Sequence, residues 1–151
     1  MGGMCMGSYL NPGNKGFRES LNSEIYVDKT GLIEKTNAVL NTRQKFLCVS
    51  RPRRFGKSMA ADMLAAYYDC GEDSAELFDS LSISKAVSYQ KHRNQYDVIK
   101  VNMQEFLSMT NSMDEMLAML QKYLVFDLMD HFTDVRFRDE NNLIQVMKDI
   151  Y

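Results

Sequence analysis

The chain has 151 residues, 45% hydrophobic and 25% charged, with a formal net charge of −2. This is the composition of a globular domain large enough to bury a core, and it excludes a polycationic chain, so attraction to nucleic acid or to an anionic membrane has to be local. The three cysteines, Cys5, Cys48 and Cys70, have neither metal-ligand spacing nor an even count for a disulfide framework, which suits a reducing cytoplasm.

Residues 1–16 hold five of the eight glycines and Pro12, and read as a flexible lead-in without a basic or apolar leader pattern. Order is expected from Phe17. Phe17 and Leu21 mark a helical turn, Ile25 to Val27 a short extended piece, and Thr30 to Leu40 a helix with Thr30 as N-cap. Lys45-Phe46-Leu47-Cys48-Val49 reads as a short buried strand. A helix from Lys57 to about Cys70 follows, with Gly71 suited to close it and Ala60, Ala61, Ala65 and Ala66 giving small faces for packing on a sheet.

Ser74 to Leu81 is predicted as a short helix packed through Leu77, Phe78 and Leu81, and Lys85 to Gln95 as an exposed, weakly helical stretch with His92 solvated. His131 likewise has no partner that would make it a catalytic base. Tyr96 to Met103 alternates as a strand, with Asn102 at its carboxyl end, where ligands bind in open α/β sheets. Ser112-Met113-Asp114-Glu115 is a capping-box pattern ahead of a helix to about Phe132, buried through Met116, Leu117, Leu120, Leu124, Leu128 and Met129. Leu143, Ile144, Met147 and Ile150 predict a last helix. No run approaches the roughly 20 apolar residues of a membrane span.

The chemistry lies between the first predicted strand and its helix. Ser50 to Ser58 matches the second half of G-x-x-x-x-G-K-[ST] as Gly56-Lys57-Ser58, with Arg51 where the first glycine would stand. In such a loop glycine lets the backbone approach phosphate oxygens, lysine reaches the β- and γ-phosphates, and the serine hydroxyl ligates Mg²⁺. Arg51, Arg53 and Arg54 add guanidinium groups able to pair with phosphate or carboxylate. The candidate nucleotide-binding residues are thus Arg51, Pro52, Arg53, Arg54, Phe55, Gly56, Lys57, Ser58 and Met59. A chance Gly-Lys-Ser at a loop-to-helix junction is the bland alternative. A second is a nucleic-acid or protein interaction module that docks through the arginine-rich loop, with salt-sensitive, Mg²⁺-independent binding.

Pro52-Arg53-Arg54-Phe55-Gly56-Lys57-Ser58, with Tyr26-Val27-Asp28-Lys29-Thr30 upstream, resembles the bacterial AAA-ATPase-like family. The similarity extends through Glu76-Leu77-Phe78 and Asp97 to Met103. The resemblance implies an α/β P-loop NTPase-like fold, an incomplete parallel sheet flanked by helices over residues 17–151, as the N-terminal part of a longer protein. It implies ATP and Mg²⁺ as ligands, Ser58 reaching the metal through the nucleotide, Tyr26 and Asp28 beside the base or ribose, and often a following PD-(D/E)XK nuclease-like domain. It also brings a Walker B strand ending in an acidic pair, which this chain lacks; Val125-Phe126-Asp127 and Leu128-Met129-Asp130 lie in a helical pattern instead. Catalytic residues stay unassigned, and an unfinished sheet predicts poor stability or self-association, with a chain inactive by itself as a third possibility.

Overall fold

The computed structural model describes residues 9–50, 52 and 56–151. Among these there is no β-sheet, only isolated bridges: Leu10 with Ile99, antiparallel, and Asp69 with Tyr96, parallel. The expected parallel sheet of an α/β P-loop fold is therefore overturned, and the architecture is helical. The reason lies in pairing. A strand needs a neighbour for its backbone hydrogen bonds, and residues 45–50 find none among the described residues. Their apolar side chains are exposed, Phe46 by 86%, and Cys48 with them. Residues 96–103 provide only the two bridge positions, Tyr96 and Ile99.

The described residues fall into two compact units, those within 11–98 and residues 9–10 with 99–151. The first contains α1 (Lys15–Leu21), α2 (Gly31–Val39), α3 (Lys57–Tyr68), α4 (Ala75–Phe78), a 3₁₀ turn (Ser82–Lys85) and α5 (Tyr89–His92). Phe17, Ile33, Met63, Tyr67, Phe78 and Ile83 are its fully buried centre. Phe17 stacks on Phe78 at 4.9 Å between ring centroids. The helix α1 packs against α3, and Gly16 permits this: a Cβ there would stand 2.9 Å from the Asp62 side chain. The small residues Ala65 and Ala66 are buried as anticipated, against helices rather than a sheet.

Several polar groups within this core pair with one another. The Tyr67 hydroxyl donates to the Tyr89 carbonyl at 2.8 Å and accepts from the Asn37 amide at 3.1 Å. Asn94 sits in the left-handed region, φ +54°, and its side-chain amide donates to the carbonyls of Asp69 and Glu72, both at 2.7 Å. His92 is 6% exposed, stacked on Tyr96 and bonded to its hydroxyl at 2.6 Å, so the predicted solvated histidine is a core residue. Burial, and then the nearby Lys91 charge, lower its pKa. Asp69, not Gly71, follows α3, and its buried carboxylate accepts from the Gly13 and Gly71 amides, each at 2.7 Å. Packing begins upstream of Phe17: Asn11 is buried and receives the Val98 amide on its side-chain oxygen.

The second unit contains α6 (Met103–Met109), α7 (Met113–His131) and α8 (Leu143–Ile150). Its core is Leu10, Val125, Leu128 and Val146. Asp127 accepts the backbone amides of Tyr9 and Leu10 at 2.9 and 2.8 Å, which fixes the segment that bridges to Ile99. The start of α7 follows the sequence, whereas α6 stands where a strand was expected to end. The Ser112 hydroxyl accepts from the Glu115 amide, the Glu115 carboxylate accepts from the Asn111 amide, and Asn142 caps α8. Asn102 caps α6 through the Gln104 amide rather than closing a strand. No helix among the described residues is long and apolar enough to cross a membrane.

Candidate functional site

At the start of α3 the chain turns through Gly56, the N-cap, with φ +76° and ψ +28°. This left-handed conformation is open to glycine and strained for residues with a Cβ. Gly56, as the N-cap, has no side chain with which to cap the helix, and this is the end where the helix dipole is positive. Lys57 and Ser58 are exposed in that first turn, and Met59 is half-buried behind them.

Beside this turn lies a cavity of about 470 Å³ lined by Lys29, Leu32, Lys35, Val49, Gly56, Lys57 and Ala60. Two rows at helical spacing form its walls: Lys29, Leu32 and Lys35 lead into and along α2, while Lys57 and Ala60 belong to α3. Among the described residues its lining includes three lysines and no Asp or Glu, which is the chemistry of an anion site. A larger hollow of about 790 Å³ runs along α7, with Leu117, Val125, Phe126 and Met129 among its lining residues. It is mainly an apolar trough, and its two charged lining residues, Lys122 and Glu140, are of opposite sign. The smaller cavity is the candidate site.

The loop before α2 is rigidly tied. Asp28 accepts from the Thr30 amide and hydroxyl at 2.8 and 2.6 Å, and from the Ser82 amide and hydroxyl, both at 2.7 Å. Burial acts to raise its pKa, but these four hydrogen bonds outweigh it and hold the carboxyl at about 2. Thr30 occupies the N-cap position of α2 as expected, yet its hydroxyl serves Asp28 and receives the Ile83 amide instead of capping the helix. Tyr26 packs edge-on against Phe17, 6.2 Å between ring centroids. Its buried hydroxyl lies near the Lys29 backbone without completing a hydrogen bond, and burial followed by the Asp28 charge raises its pKa.

The structure thus brings Gly56 and Lys57 together at one cavity. Pro52 is exposed, and Arg51, Arg53, Arg54 and Phe55 lie outside the described residues. Lys29 and Lys35 line the cavity without having been proposed as site residues from the sequence, Lys29 having entered only as part of the Tyr26 to Thr30 motif. The sequence profile of a family described as a predicted AAA-ATPase matches residues 14–151. The chain belongs to that family. No curated protein and no solved structure matches it. Membership in the predicted AAA-ATPases accords with nucleotide binding in general, and a cavity lined by three lysines beside a helix start is chemically suited to a phosphate group.

Mg²⁺ makes different demands. Among the described residues no group of three or more His, Cys, Asp or Glu side chains is arranged to hold a metal ion. A nucleotide-borne Mg²⁺ needs fewer protein ligands, because phosphate oxygens and water fill most of its octahedron. The exposed Ser58 hydroxyl fits that limited role.

Proposed function

We propose that this predicted AAA-ATPase binds ATP with its phosphates at the amino end of α3, using Arg51 to Met59 as a variant Walker A loop. The observation that carries the reading is the cavity beside Gly56, which the left-handed start of α3 and Lys57 line together. In this reading the first-turn amides hold phosphate oxygens, Lys57 neutralises the β- and γ-phosphates, and Ser58 ligates Mg²⁺. The metal, when bound with the nucleotide, spreads the negative charge of the two terminal phosphates. Arg51, Arg53 and Arg54 contribute auxiliary positive charge. Turnover needs in addition an acidic group that orients the attacking water, and no residue is assigned to it.

Lys57→Ala tests the reading in the full chain. Calorimetric titration with Mg²⁺ and ATP is expected to show a loss of about tenfold to a hundredfold, the worth of one charge-assisted hydrogen bond. Helical content is expected to stay unchanged, because Lys57 is exposed. Equal affinity in both proteins would overturn the assignment.

A further inference from the structure

The most informative feature of the cavity is the position of Lys29. Its Nζ lies 3.0 Å from the point where a Cβ on residue 56 would stand, so its ammonium rests against the bare face of Gly56. Residue 56 is also the turn that delivers Lys57 to the same cavity. The two lysines come from segments 28 residues apart in the sequence and share one hollow with Lys35.

The geometry points to Lys29 as a second phosphate-binding cation of this site, supplied by the loop before α2 and admitted because position 56 lacks a side chain. This rests on the phosphate site described above and extends it by naming what recognises the length of the phosphate chain. One lysine beside a helix start suffices for a single phosphate group. Cations reaching the cavity from two separate segments suit an extended di- or triphosphate, whose charge is distributed along a chain.

Anchoring makes Lys29 more than a loose surface charge. Asp28 is fastened to Thr30 and to Ser82, and the Lys29 carbonyl accepts the Leu32 amide at 3.0 Å as α2 begins. The backbone on both sides of Lys29 is therefore held in place before any ligand arrives. Less ordering remains to oppose binding. The positive φ of Gly56 is the conformation that favours glycine here.

The experiment compares Lys29→Met, which keeps the length of the side chain and removes its charge, with Lys57→Ala in the full chain. Each protein is titrated with Mg²⁺ and ATP and, separately, with inorganic tripolyphosphate. The melting temperature of Lys29→Met is measured alongside, so that a loss of binding is read only from protein that is folded at the titration temperature. The expected result is a loss of about tenfold or more for both ligands in Lys29→Met, with Lys29→Arg recovering most of it. Three outcomes would overturn the inference: tripolyphosphate binding within about twofold of wild type in Lys29→Met, a loss confined to ATP, which would place Lys29 on the nucleoside, or equal losses in Lys29→Met and Lys29→Arg. The underlying site fails separately: Lys57→Ala binding as wild type while Lys29→Met is weakened would displace the Walker A assignment but keep Lys29 as an anion contact.

Discussion

At Gly56 a single hydrogen atom in place of a side chain allows both the left-handed turn into α3 and the approach of Lys29. Gly56→Ala is expected to lower stability by about 1–2 kcal/mol from the backbone conformation alone, read by urea denaturation. Asp28 sets a second residue-scale expectation. Its folded pKa of about 2 lies below its ordinary 3.8, so it contributes stability above about pH 4 that is lost as pH falls toward 2. The carboxylate is reached by solvent, so the contribution is about 1 kcal/mol or less. Thermal melts from pH 6 to pH 2.5 should show wild type losing its advantage over Asp28→Asn in that interval; a constant difference would dismiss the linkage. At this scale Gly56 and Lys57 were legible, because Gly-Lys-Ser is contiguous and its chemistry is local. Lys29 and Lys35 were not, because only the packing of α2 beside α3 reveals the cavity they share.

The elements were legible wherever their signal was local. The start of α7 was readable in Ser112-Met113-Asp114-Glu115, whose hydroxyl and amide partners sit within one turn. Ser112→Ala is expected to cost about 1 kcal/mol, visible as a lower urea midpoint with an unchanged slope. The strands failed for the opposite reason. Lys45 to Val49 has the composition of a buried strand, but composition does not provide a partner, and without one the segment has no regular structure and leaves Phe46 and Leu47 exposed. His92 was misplaced by the same logic: its neighbours in sequence are polar, while the stacking partner that buries it, Tyr96, sits one step beyond them.

Across the whole molecule, burial is concentrated in two separate cores, and several large apolar side chains lie outside both. On α7, Phe126 is 72% exposed and Leu117 52%, and both line the apolar trough. On α8, Ile144 is 66% exposed. Contiguous apolar surface left in water is an association surface, since covering it recovers about 25 cal/mol per Å² of apolar area. The chain is therefore expected to self-associate reversibly, with a weight-average mass in sedimentation equilibrium that rises with concentration. Phe126→Gln should shift that rise to higher concentration without destabilising the fold, because the side chain is already largely in water. Phe78→Ala, by contrast, empties the buried centre of residues 11–98 and should cost about 3–5 kcal/mol. Its effect belongs in the unfolding curve. A monomeric mass at every concentration, or an association indifferent to Phe126→Gln, would remove the α7 face as its cause.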